Sequence, residues 1–229
     1  MGEVNEVPDA GDVCHGIEVI EIEHDIHALV GEMGRGYRSF GYVLSMDGFS
    51  VLIDATDVRF LSRLAEFPPP RHLLLTHRHT RLHEADYEER YDLGIYLHPI
   101  DADWVRDGPS QGTRSPSRYR DPMSEPALRD LGFRFLHVPG HTAGFTMIIW
   151  DRHDGILFSG DAVIGPKPGQ PRQLYYPPIA VSDDDGQLRR SLAALEPPRV
   201  RHILPFHGEP LHDLDEAEMA AMWSTLIAG

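Results

Sequence analysis

Residues 76–84 of the chain read THRHTRLHE. His77, His79 and His83 fall within seven positions, a density that suggests a metal site. In an extended segment, side chains two apart point to the same side. Neutral imidazoles from His77 and His79 would then take adjacent vertices of a tetrahedral ion. The pair alone decides little, because the chain carries 14 histidines and chance pairs are unsurprising. Residues 80–82 are Thr80, Arg81 and Leu82, a poor set for a metal cluster. Arg stays protonated and has no acceptor, and Leu has no donor atom.

Other segments share a habit with this one. VPGHTAG places His141 in a Gly-flanked loop after a β-like run, LFSGDAV places Asp161 just past another, and ILPFHGEP does the same for His207. Ligand-capable residues at strand ends, carried on loops, are how a rigid scaffold presents chemistry.

The elements that must position these residues alternate along the chain. GIEVIEIEHDIHALVGEM suggests strands, and FGYVLSMDGFSVLIDAT suggests a hairpin turning at Asp47-Gly48. Residues 57–67 suggest a short helix stopped by Pro68, Pro69 and Pro70, and RHLLLTH a buried strand running into the histidines. LGIYLHP is a strand, IDADWV opens a helix with Asp101 as its cap, and residues 108–126 form a linker rich in turn formers. FRFLHVPGH, FTMIIWD and GILFSGD are strand-like, GQLRRSLAAL is a helix, and VRHILPFHG is a last strand. No repeat is visible.

Taken in order, LLLTHRH, VPGHTAG, LFSGDAV and ILPFHGEP make the chain resemble the metallo-β-lactamase superfamily over roughly residues 17–210. The resemblance implies an α/β fold, a four-layer αββα sandwich with a metal site at the edge of its two sheets. A flexible leader at 1–16 and one domain over 17–229 are expected. It places a first metal on His77, His79 and His141, with Asp161 alongside and His207 in a second site. The family motif HxHxDH is degraded here. Arg81 stands at its aspartate and Leu82 at its last histidine. The second site would keep only His207 and a share of Asp161, too few ligands. One ion per chain is expected: zinc, with iron or manganese also suited to imidazole and carboxylate.

Arg81 is expected to turn inward and pair with Asp161, replacing part of the lost dication's charge. His83, one residue late, is expected on the surface near a helix start, and the remaining histidines are expected to be surface or structural groups. Asp161 is the candidate base, with Arg81 beside it. Lys167, Arg172, Tyr175 and Tyr176, on the Pro-rich loop 165–178, are candidate substrate contacts. Three functions follow: a one-metal hydrolase of a small ester, thioester or lactone; a one-iron oxygenase resembling the family's persulfide dioxygenases; or a catalytically lapsed member that binds a ligand or partner.

Composition narrows the partners. A net charge of −15 repels nucleic acid and anionic membranes, and no apolar run reaches the length of a membrane span. The Arg114, Arg118 and Arg120 cluster is expected to be a solvated loop. One cysteine, Cys14, excludes an internal disulfide, and the default location is the cytoplasm. A small-molecule substrate is expected; the oligomeric state is not legible.

Overall fold

A computed structural model of the chain describes residues 17–33, 37–108 and 114–229. The expected leader, with Cys14, lies outside the described residues. Among the described residues, ten strands form two sheets. In the first, β1 (Glu18–Glu23), β2 (Ile26–Met33), β3 (Tyr37–Ser45) and β4 (Ser50–Ile53) pair antiparallel in chain order. Then β5 (Pro70–Leu74) and β6 (Gly94–Tyr96) add in parallel. In the second, β7 (Phe133–His137), β8 (Thr146–Trp150) and β9 (Ile156–Gly160) pair antiparallel, and β10 (His202–Pro205) lies parallel to β9.

Period-two patterning sorts the side chains. On β8, Ile148 and Trp150 face the first sheet and join Tyr42, Phe40 and Phe158 in the central core. Met147 and Ile149 face outward, onto Leu188 and Leu192 of α4 (Asp185–Ala193) and Trp223 and Leu226 of α5 (Glu216–Ala228). Outward residues of the first sheet, Leu52 and Leu73 among them, pack with Tyr87 of α1 (Glu84–Tyr91) and Val105 of α2 (Pro99–Asp107). A short helix α3 (Pro126–Asp130) precedes β7. The layers run helix, sheet, sheet, helix.

Three local expectations change. Residues 57–67 form two short 3-10 turns, Val58–Ser62 and Leu64–Glu66, rather than one helix. His98, not Asp101, caps α2, its ring accepting from the Ile100 N–H; Asp101 is fully buried inside the first turn. The described part of the linker is also tied down: Arg120 exchanges backbone hydrogen bonds with Ile95 and Leu97 beside β6, and Arg114 pairs with Asp86 and Glu89.

Candidate metal centre

The strands β5, β7, β9 and β10 all deliver their C-terminal ends to one edge of the sandwich. His77 follows β5 in extended conformation, and the chain then turns through a 3-10 turn, Arg78–Thr80. The pair His77 and His79 is thus not presented by an extended strand. The turn nevertheless brings the two rings to 5.2 Å between centroids. The His141 ring, from the loop between β7 and β8, lies 4.8 Å from that of His77 and 5.0 Å from that of His79. One nitrogen from each of the three lies within 4.8 Å of the others.

Each ring is fixed from behind. The Thr76 hydroxyl donates to Asp54 Oδ2 at 2.7 Å, which leaves its oxygen to accept from His77 Nδ1 at 3.0 Å. That contact sets the tautomer and turns the Nε2 lone pair into the site. His77 is fully buried, and its Nε2 has no hydrogen-bond partner among the described residues. His141 Nδ1 meets Ser182 Oγ at 3.2 Å, leaving Nε2 to face His79 Nδ1 at 3.2 Å. Two nitrogens on a tetrahedral zinc at ~2.05 Å stand about 3.3 Å apart. His79 and His141 are therefore spaced for one metal ion, and His77 adds an orphaned buried nitrogen within 4.8 Å of theirs, a donor set whose chemistry suits that ion.

Charge is tuned in the same direction. Burial, with the neighbouring His141 and His79, holds the His77 imidazole well below its ordinary pKa. Burial also pushes His141 down to about 4, against the pull of Asp161. Both rings are neutral at pH 7, the form that ligates.

Asp161 lies beside this set, Oδ2 standing 3.6 Å from His77 Nε2 and 3.9 Å from His141 Nε2. Its backbone approach depends on Gly160, at φ 51°, where a Cβ would sit 2.4 Å from Thr76 Oγ1. His207 Nδ1 meets the Asp161 carboxylate at 2.8 and 3.0 Å. Burial disfavours the charged ring, but the hydrogen bond and charge of Asp161 outweigh it, so the His207 pKa is raised.

Arg81 does not reach Asp161. It is buried, with Nε 2.6 Å from Glu84 Oε1 and 2.5 Å from Tyr119 Oη, and Nη2 3.1 Å from Ser115 Oγ. The reason is local. Glu84 is fully buried three residues on, and its carboxylate needs a cation more than Asp161, which already has His207. Leu82 lines the cavity in front of the centre. His83 is half-exposed at the start of α1, 3.3 Å from Asp86.

The cavity measures about 970 Å3 and reaches His79, His141, Asp161 and His207. The loop 165–178 borders it through Pro177 and Pro178, with Ile164 before them and Val181 beyond. The expected contacts lie elsewhere. Arg172 bonds the His212 carbonyl, Tyr175 bonds the Pro171 carbonyl, Tyr176 stacks under Arg189 at 4.0 Å, and the Lys167 N–H bonds Gln170. None of the four is among the residues lining the cavity.

Two carboxylates that were not singled out as site residues organise the centre. Asp54, at φ 50°, accepts from the Thr76 N–H and from the Thr76 and Thr80 hydroxyls. Burial raises its pKa to about 7; the donors from Thr76 and Thr80 offset part of this and the charge of Asp161 adds to it. Asp101 accepts from the Arg78 N–H at 3.0 Å, the Thr142 hydroxyl at 2.6 Å and the Gly144 N–H at 2.9 Å. It thereby ties the His77 and His79 turn to the His141 loop. The one signal in the sequence was an acidic residue at a strand end, in VLIDAT, which Asp54 shares with Asp161.

No protein-family model matches the chain, and no curated protein matches it. Solved structures do. It is similar to TMB-1, described for the role of two of its residues in substrate and inhibitor binding, at TM-score 0.67 and 15% identity, covering 92% of this chain and 98% of that one. It is similar to the DIM-1 metallo-β-lactamase exposed to ceftazidime at TM-score 0.68 and 15% identity, covering 92% and 97%. The chain has the metallo-β-lactamase fold.

Proposed function

We propose that this chain is a hydrolase of a small ester, thioester or lactone, working through one metal ion held by His77, His79 and His141. The observation that carries the reading is the buried, unpartnered His77 Nε2 aimed at two further neutral imidazoles. A second ion finds little support. Arg81 and Leu82 offer no ligands, and His207 is hydrogen-bonded to Asp161.

A bound zinc ion would supply Lewis acidity, polarising the substrate carbonyl and acidifying water. Asp161 acts as the base: it accepts a proton from water entering beside His77 and His141. The water oxygen bonds to the acyl carbon, the acyl–oxygen or acyl–sulfur bond breaks, and the proton passes to the leaving group. His207 holds the Asp161 carboxylate in place. Leu82 and Phe206 line the cavity beside the centre.

Metal analysis of protein purified without added metal, paired with assays on aryl esters, thioesters and lactones, tests this. About one zinc per chain and hydrolysis lost in Asp161→Asn are expected. Iron with oxygen consumption would favour the oxygenase. No metal, and no stabilisation on adding zinc or iron, would overturn both and leave a lapsed binding protein.

A further inference from the structure

The cavity's walls and its charges point to what it takes. Phe60, Leu82, Ile164, Pro178, Val181 and Phe206 give it apolar sides. Leu82 and Val181 leave 38% and 46% of their surfaces exposed, and both lie on this one cavity, beside its buried apolar walls. The charged groups lining it besides the histidines are Asp54, Asp57, Asp161 and Arg59. Arg59 is already taken: its Nε lies 3.0 Å from both Asp57 oxygens and its Nη2 2.5 Å from Oδ2. At pH 7, where Asp54 is only partly ionised, an anionic tail would still meet Asp57, Asp161 and a neutralised guanidinium, at an electrostatic cost.

We infer that the cavity takes an uncharged alkyl or acyl chain, so that the substrate is a neutral ester, thioester or lactone with an apolar tail lying against Leu82 and Val181. This rests on the hydrolase reading for the reacting end, and on the cavity alone for the tail. Its volume, about 970 Å3, lies at the upper end for small-molecule sites and suits a medium-length chain. Asp57 acts as a specificity residue by occupying Arg59.

The test has two arms. In the first, zinc-loaded protein is given aryl esters from acetate to octanoate, with matched tails ending in a carboxylate or an ammonium. kcat/KM should rise about fourfold for each added methylene until the cavity fills, the worth of ~0.8 kcal/mol per buried CH2. Neutral tails should be preferred at least about tenfold over either charged tail. Val181→Asp should lower the octanoate-to-acetate ratio about tenfold. Asp57→Asn keeps a side chain able to cap the 3-10 turn, but frees Arg59, and should raise the ratio of carboxylate-tailed to neutral ester. A flat chain-length series, or preference for a charged tail, overturns the inference.

The second arm needs no turnover. An apolar fluorophore bound to the metal-free protein should be displaced by octanol at least about tenfold more readily than by octanoate, and bound more weakly by Val181→Asp. Displacement without hydrolysis leaves the tail site standing and overturns the hydrolase. Hydrolysis without displacement overturns the tail site alone.

Discussion

Arg81 and Asp54 show how a residue's neighbours, more than its type, decide its role. Arg81 stands where the family motif has an aspartate, so an inward cation was the natural expectation. Its direction was set instead by Glu84, a carboxylate with no exposure of its own. Arg81→Met should therefore cost about 3–5 kcal/mol in urea unfolding, because it strands a buried charge. Adding Glu84→Leu should recover most of that. If Arg81→Met costs nothing, the pair is not what holds Glu84 inside. Restoring the motif's histidine is the milder change, since Leu82 already faces the cavity. Asp54 carries the pH behaviour. Folded, it holds its proton to about pH 7; unfolded, only to its ordinary 3.8. The folded chain binds more protons between these values, so its stability is full below pH 3.8 and falls as pH rises through 7. The loss is on the order of 4 kcal/mol in metal-free protein. Comparing the urea midpoints of wild type and Asp54→Asn at pH 4.5 and 7.5 isolates it, since the histidines contribute equally to both. Equal slopes would show that Asp54 ionises freely. Metal should flatten the wild-type slope by favouring the carboxylate.

At the scale of elements, the centre depends on two turns that share one support. The segment 76–80 and the loop 139–145 touch through Asp101, on a third element, α2. Arg78 reinforces the joint, reaching Asp101 at 3.3 Å and Asp183 at 2.6 Å while lying over the Trp104 ring. Asp101→Ala should lower metal affinity about 10- to 100-fold, the usual effect of removing a group that orients ligands. Competition with a chromophoric chelator measures it, and the unfolding midpoint of the metal-free protein separates positioning from plain destabilisation. Affinity unchanged beside a lowered midpoint would make Asp101 only structural. This joint was not legible in the sequence. Asp101 sits in IDADWV with the spacing of a helix cap, and its partners lie 23, 41 and 43 residues away. The strands were legible because their apolar alternation is local; the cap at His98 was not, since an imidazole is an uncommon N-cap.

For the whole molecule, the ordered motifs carried the αββα architecture and the convergence of His77, His79 and His141, because strand ends and loop histidines are fixed by topology. Side-chain directions, such as Arg81 turning to Glu84, depend on packing that no local pattern records. That topology has a mechanical consequence. His77 and His79 belong to the end of the first sheet, and His141 to the end of the second. Without metal, direct links at this edge include the Thr146 N–H to the Thr76 carbonyl at 2.8 Å. Across β3 and β10, the Tyr42 hydroxyl meets the Pro205 carbonyl at 2.6 Å. A metal ion on three imidazoles would add a cross-link between sheets. Binding to the folded state alone should stabilise it by about 2.7 kcal/mol at a free concentration one hundred times Kd. Because the ion bridges both sheets, hydrogen exchange should slow together at the ends of β5, β7 and β8 when zinc is added. His141→Ala should abolish the effect on both sides, although only one sheet has lost a ligand. Protection confined to β5 would mean that the His77 and His79 pair binds without His141, and that the three imidazoles do not share one ion.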